Sequence, residues 1–495
     1  MASYKHGVYI SEEGTPILPP VAVESAVPVI FGTAPVNMTD PTNINRPVLC
    51  NTYDEFVAAF GFVPAQEDAS TGFSKYAFTL CEAAYAQFAL FGVSPAVFVN
   101  VLDPTKHKKT ATTVTITLDS KTGSATVAEA GIIPSSVTIT PSDAGAYTQG
   151  EDYELTFDGD GNLVVTSLQG EGGDFNCTTG TSLTFAADVL DPTLVDSDDI
   201  IGGVSVSGEK SGLELVADVY PRFGIVPGTI TAPGYSGDPS VAAVMAAKCV
   251  GINGNFRAMC IIDVPTDTVT AYTNVPSWKS TNNITDPQQI VCWPMLSLSG
   301  TLYNYSSQLA ALMGQVDSDN GDTPYVSPSN KNLQMTATVL ESGKEVWLDT
   351  ETGAYLNGEG IVTAINLTSG WVCWGNRTAC YPGNSDVKDA FIPIRRMFNW
   401  VGNTLITTFF QRVDAPTNRR LIDTILDSAN IWLNGLAAQQ YILSGRVTFT
   451  ETDNPTTDLM DGIVKFRVQI CPPPPARDLE FVLVYDVNGL QTLFE

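Results

Sequence analysis

Histidine is almost missing from this sequence: among its 495 residues only His6 and His107 occur. A Ser–His–Asp or Cys–His nucleophile would have to recruit one of them, and both fall in segments that read as an extended arm or a linker. Cysteine is present but badly spaced for chemistry. Cys50, Cys81, Cys177, Cys249, Cys260, Cys292, Cys373, Cys380 and Cys471 are odd in number and contain no C-x-x-C. That is neither a disulfide framework nor a zinc signature, so buried free thiols are expected. Basic residues are scarce, 25 against 53 acidic ones, for a net charge of −28. A phosphate backbone would be repelled, and the one basic cluster, Lys106, His107, Lys108 and Lys109, reads as a solvated linker. No apolar run is long enough to span a bilayer. No apolar stretch precedes Glu12 and Glu13, so no secretory signal is read and assembly in a cytoplasm is expected.

Nucleotide motifs fail as well. GVSVSGEKS (203–211) resembles a phosphate-binding loop, but Glu209 interrupts the required Gly-Lys step. The Gly358–Gly360 pair lacks the rest of a dinucleotide fingerprint. No cofactor and no metal is expected. With 53 carboxylates, two acids will meet somewhere, so a carboxylate-dependent hydrolase has no specific support.

What is present is a globular composition, 44% hydrophobic and 16% charged, in a chain too long for one core. Residues 1–20, with Tyr4, His6, Val8 and Ile10 alternating, form an N-terminal arm that ends in TPILPP. From 21 to 105 a β-rich run (21–33), helical stretches (53–60 and 76–91) and the strand-like AVFVNV (96–101) suggest an α/β layer. The stretch 106–200 is different: rich in Thr, Ser, Gly and Asp, with 4 basic and 15 acidic residues and short alternating runs such as TVTITL (113–118) and YELTF (153–157). It reads as a β-sandwich spliced into a loop of the α/β body and lying peripherally. The α/β pattern resumes over 201–375. There Asp238 is placed to cap a helix starting at Pro239, FRAMCIIDV (256–264) reads as a buried strand, and 303–316 reads as helix.

The part from 376 to 495 is nearly neutral, with 11 basic and 13 acidic residues, whereas the remainder carries a net −26. A contact-making C-terminal part beside a solvated acidic one is the natural reading. Its first helix starts near Pro393 with Ile394, Phe398, Val401, Leu405 and Phe409 at helical spacing. A second, capped by Thr417, places Leu421, Ile425, Ala429 and Trp432 on one face. Strand runs at 446–450 and 463–470 follow, then Pro472–Pro475 and an apolar alternating tail, about 476–495. The fold class is thus α/β (α+β) and multidomain, with an inserted β-sandwich and extended arms at both ends.

Several stretches resemble the contractile tail sheath proteins of phages and injection systems. HGVYISEEGTPILPPVAVESAVPVIFGTAP is similar to that family's N-terminal arm and first strand. GIVPGTITAPGYSGDPSVAAVM with AMCIIDVP is similar to its central α/β domain. YLNGEGIVTAINLTSGWVCWGNRT (355–378) and FIPIRRMFNWV (391–401) resemble its Trp-Gly-Asn-Arg-Thr signature and its Pro-x-Arg-Arg helix start. The resemblance implies a non-enzymatic subunit that stacks in hexameric rings around an inner tail tube. Baseplate and tail terminator proteins would lie at its ends, with no nucleic acid and no inserted membrane segment. It also implies a sheath that shortens without ATP to drive the tube through an envelope, and a C-terminal domain nearest the tube. The family's central domain is sometimes described as subtilisin-like, but the histidine a protease needs there is missing.

The arms fit that picture, because apolar strands kept off their own core need another sheet edge. Tyr4, Val8, Ile10, Phe481, Leu483, Tyr485, Val487, Leu490, Leu493 and Phe494 are expected to reach neighbouring subunits. Arg419, Arg420, Asp423 and Asp427, on the polar face of the second helix, are candidate tube contacts. For Trp371, Trp374, Asn376 and Arg377 core packing and a satisfied polar turn are expected, and for Arg395 and Arg396 ion pairs. The β module keeps a second class open, an adhesin or receptor-binding structural protein, beside the hydrolase.

Overall fold

A computed structural model of the chain describes residues 20–39, 43–119, 121–141, 146–168, 182–488 and 493. The centre of the fold is an eight-stranded sheet ordered Val48–Cys50, Ala96–Asn100, Pro28–Gly32, Thr229–Thr231, Met259–Asp263, Gln289–Cys292, Ile361–Asn366, Trp371–Trp374. The six inner strands pair in parallel and the two edge strands antiparallel. Parallel strands covered on both faces need continuous apolar runs. PVIFG and AVFVN are buried at every position, and MCIID at all but the last.

Helices cover the sheet. The one over Pro239–Lys248 starts as its sequence dictates: the Asp238 side chain accepts from Ser240 N–H at 2.8 Å and Pro239 occupies the first turn. The helix expected over 76–91 begins later, at Thr79, and widens into a π-helical segment at Tyr85–Leu90. The 303–316 reading corresponds to Tyr305–Asp319, almost wholly buried.

The β-rich stretch leaves the body after the strand Ala96–Asn100. It folds as two antiparallel three-stranded sheets, Ser124–Ala130 with Asn162–Ser167 and Tyr153–Phe157, and Lys108–Thr117 with Ser182–Leu190 and Thr138–Pro141. The two share a separate core that includes Ile116, Ile139, Leu163, Val165, Leu183 and Phe185. Leu190, Val195 and Ile200 already pack into the main core.

The linker reading of Lys106–Lys109 is corrected here. His107 is buried: its Nδ1 accepts from Asp103 N–H at 2.9 Å, and its Nε2 lies 3.2 Å from Asp199 Oδ2. Lys108 and Lys109 begin the first strand and pair with Asp188 and Asp191. The partners lie some 80 residues away in sequence, so no local pattern announces them.

GVSVSGEKS is a small hairpin, Gly203–Val204 against Lys210–Ser211, with an exposed tip. Lys210 is spent on Asp218 at 2.6 Å. Of the cysteines, seven are buried thiols, Cys471 is exposed, and Cys177 lies outside the described residues. Among the described residues no helix is long and apolar enough to cross a membrane, and no His/Cys/Asp/Glu cluster could hold a metal ion.

The C-terminal part builds its own core from Met397, Trp400, Val401, Ala429, Leu433, Leu436, Ile442 and Val447. Its elements are the helices Ile392–Phe409 and Arg419–Ala438 and the hairpin Ser444–Thr448 with Arg467–Cys471. Two expectations shift. The cap of the second helix is Asn418, which accepts from Leu421 N–H at 2.9 Å, and not its neighbour Thr417. The buried positions are Ser428, Ala429, Leu433 and Leu436, while Leu421 and Ile425 are half exposed. The reason is where the hairpin docks. Asn430 accepts from Val447 N–H at 2.8 Å and donates to Val447 O at 3.1 Å, so the second half of the helix is covered and the first overhangs. The second strand begins at Arg467 rather than 463, because Asn454 has already bonded both the N–H and the carbonyl of Lys465 to close the loop.

Candidate assembly interface

Both ends of the described chain leave from the C-terminal part. At the first end, Trp400 Nε1 donates to Val23 O at 2.8 Å, Thr407 Oγ1 donates to Val21 O at 2.9 Å, and Val21 N–H donates to Thr408 Oγ1 at 3.0 Å. Ser25 then donates to the Asp317 carboxylate, which also receives Arg396. Residues 21–25 therefore lie bonded along the Ile392–Phe409 helix. Tyr4, Val8 and Ile10 lie outside the described residues.

At the other end, Pro472 is buried beside the hairpin and the chain then runs without helix or strand through Asp486. Phe481 is 86% and Leu483 95% exposed, and Leu479, Val482, Val484, Tyr485, Val487 and Leu493 are also exposed. Side chains on both sides of the segment face water, which an apolar run does not sustain without a partner. Leu490 and Phe494 lie outside the described residues. The expected strand is not formed in the isolated chain, where no edge is opposite it. The hairpin beside it has only two strands: Asn430 bonds Val447 on the outer side of the first, and among the described residues no strand pairs with the outer side of the second.

Exposed apolar side chains also gather on the C-terminal part itself: Phe410, Val413, Ile431, Leu443, Met460 and Ile463. Sequence reading missed these. Ile431 alone carried a signal, since it sits off the apolar stripe of its helix. On that helix Arg419 pairs with Asp423 at 3.0 Å in an exposed i,i+4 bridge, and Arg420 and Asp427 are exposed. Arg395 bonds Asp389 at 3.0 Å and Arg396 bonds Asp317, both within the chain.

A large cleft of about 1160 Å³ opens where the parallel strands end, at Gly234, Asp263 and Cys292. Two carboxylates on its wall, the buried Glu82 and the half-buried Asp263, are engaged by the start of the Tyr305–Asp319 helix. Glu82 accepts from Asn304 N–H and Ser307 Oγ, each at 2.7 Å, and Asp263 accepts from Ser306 N–H at 2.8 Å. Burial raises Glu82 to about 7 and Asp263 to about 6, against those hydrogen bonds. They complete a helix N-terminus.

No family model matches the chain. It is 29% identical over 507 aligned positions to the tail sheath protein of Burkholderia phage BcepMu, covering 99% of each. In fold it is similar to the sheath of the PVC extracellular contractile injection system in its contracted state, with TM-score 0.56, 15% identity and 99% of both chains covered. It is also similar to a chain of the anti-feeding prophage baseplate, with TM-score 0.57, 15% identity, 98% of this chain and 100% of that one. Identities that low speak for the fold alone; the phage relative adds sequence likeness from end to end. The chain is thus similar in sequence to a phage tail sheath protein and similar in fold to chains of contractile injection systems.

Proposed function

We propose that this chain is a structural subunit of a contractile tail sheath, one that polymerises around an inner tube and shortens to drive it through a target envelope. The observation that carries the reading is the end-to-end likeness to a phage tail sheath protein. The apolar tail exposed on both sides, beside a two-stranded hairpin, supports it. The tail from Phe481 to Val487, with Leu490, Leu493 and Phe494, adds a strand to a neighbouring copy, as does the arm carrying Tyr4, Val8 and Ile10. The C-terminal part faces the tube through Arg419, Arg420, Asp423 and Asp427. The acidic β module of 106–200 hangs outward. Baseplate and terminator proteins bound the polymer, assembly takes place in the host cytoplasm, and no catalytic step or cofactor is involved. Negative-stain microscopy of the purified chain tests this: tubes or polysheaths are expected, and a strictly monomeric protein at all concentrations would remove the proposal.

A further inference from the structure

The strand Pro28–Gly32 has Ala96–Asn100 on one side and Thr229–Thr231 on the other. The chain runs from the first of these out to Ala96–Asn100, passes through the β module, and returns on the opposite side. Such a reversal of strand order opens a crevice beyond the carboxyl ends of the strands, and open α/β sheets bind their ligands there. The cleft of about 1160 Å³ lies at this place. Thr79 and Gly234 line it: Thr79 N–H donates to Thr33 Oγ1 at 3.2 Å just past the first strand, and a Cβ on Gly234 would stand 3.3 Å from the Thr79 methyl. The module adds Ala128–Ala130 and Val189–Thr193 to the wall.

The wall has a definite sign. Nine carboxylates line it against two ammonium groups, and both of those are taken, Lys75 by Glu341 and Lys109 by Asp191 at 3.6 Å. The helix starts on the cleft leave no site for an anion, because the chain fills them itself. Asp238 caps Pro239–Lys248, Glu82 and Asp263 hold the start of Tyr305–Asp319, and Thr33 meets Thr79. Asp68 accepts from Ser70 N–H at 2.8 Å. Three acids remain, on three separate parts of the wall: Glu67 on the strand Gln66–Asp68, Glu129 on the module strand Ser124–Ala130, and Asp267 beyond Met259–Asp263. Among the described residues no side chain bonds Glu67 or Glu129, and Asp267 accepts only from the adjacent Thr268 N–H at 2.7 Å. Ala128, Pro265 and Met295 contribute apolar surface to the same wall. We infer that the cleft binds an extended aliphatic polyamine, whose ammonium groups meet Glu67, Glu129 and Asp267 while its methylenes lie on the apolar surface.

Spacing decides between an organic cation and a metal ion. Among the described residues no His, Cys, Asp and Glu side chains come close enough together to hold one ion. Acids set apart on separate walls call for charges set apart on one molecule. A monoamine would satisfy a single wall, whereas a polyamine joins the small sheet, the central body and the module. Bound there, it would fix the module against the body. The contacts are partly exposed, so salt should weaken them. The inference is independent of the sheath reading, because it concerns the single chain.

The test titrates the full chain with spermidine by calorimetry at fixed ionic strength, below any concentration at which it polymerises. One spermidine per chain is expected, with affinity falling from spermidine to putrescine to butylamine. The double variant Glu67→Gln, Glu129→Gln should weaken binding by roughly tenfold. Ala128→Trp, which fills the cleft without changing its charge, should abolish binding. Glu451→Gln, at an exposed acid of the C-terminal part, should leave binding as it is. Glu67, Glu129 and Ala128 are exposed or half exposed, so unfolding midpoints should not move; if Ala128→Trp nevertheless unfolds, the glutamine variants decide alone. Equal weakening by Glu451→Gln, or butylamine bound as tightly as spermidine, would mean a diffuse counter-ion atmosphere and overturn the site. Displacement of spermidine by magnesium at the same ionic strength would do so too, as would the absence of binding. None of these outcomes touches the sheath reading, and a chain that never polymerises would leave this inference standing.

Discussion

Arg396 closes a two-pronged ion pair on Asp317 across the joint between the C-terminal helices and the central body, and both side chains are almost fully buried. Removing one partner strands a buried charge, which costs about 3–5 kcal/mol. Arg396→Ala and Asp317→Ala should each lower the urea midpoint accordingly. Asp317→Ala should in addition expose residues 20–25 to proteolysis, because Ser25 loses its acceptor. Equal protease resistance in the two variants would separate the arm root from this joint.

Glu82 gives the protein a pH dependence of definite sign. Its folded-state value is raised from 4.5 to about 7, so the folded chain holds a proton that the unfolded chain has released. The contribution is full below about 4.5 and is lost as pH rises through about 7. It amounts to about 3 kcal/mol at most. Asp263, raised to about 6, acts in the same direction. Wild type minus Glu82→Gln, measured as urea midpoints from pH 4.5 to 8, should fall across that window. A flat difference would mean that the hydrogen bonds from Asn304 and Ser307 outweigh burial.

Deleting residues 479–495 should leave a folded monomer that cannot polymerise, since every hydrophobic core of the described chain is complete before Pro473. Circular dichroism and sedimentation read the two halves of that statement. Ordered tubes from the truncated chain would show that the tail is not a tether, and unfolding would show that it belongs to its own domain.

Charge reversal at Arg419 and Arg420 should weaken co-assembly with the inner tube and make it less sensitive to salt. The unfolding midpoint should move by under about 0.5 kcal/mol, because both residues are exposed. Tube binding that is unchanged across a salt series would take these residues out of the contact.

The sequence revealed most where one local rule acted alone. The inner parallel strands are continuous apolar runs, and Asp238 followed by Pro239 marks a helix start without rival. Thr417 and Asn418 are adjacent and equally able to cap, and which one does is decided by the path of the loop before them. His107 looked like part of a basic linker because Asp199, the residue that faces it, is far along the chain. The buried stripe of the Arg419–Ala438 helix shifted because the hairpin covers only its second half, a tertiary fact that periodicity does not contain. At the candidate interface, the apolar alternation after Pro475 was legible. The exposure of Phe410, Val413 and Met460 was not, since exposure depends on what fails to pack against a side chain.

The chain enters and leaves the β module at one spot: Asp191 N–H donates to His107 O at 2.9 Å, and Ile133 N–H donates to Asp188 O at the same distance. The body touches the module at further places, with Asn37 Nδ2 donating to Ile132 O at 2.9 Å and Val63 lying against Gly161. The module nevertheless keeps a hydrophobic core of its own. We therefore expect the strands and loops away from these contacts to tolerate changes of length and surface that leave the central sheet as it is.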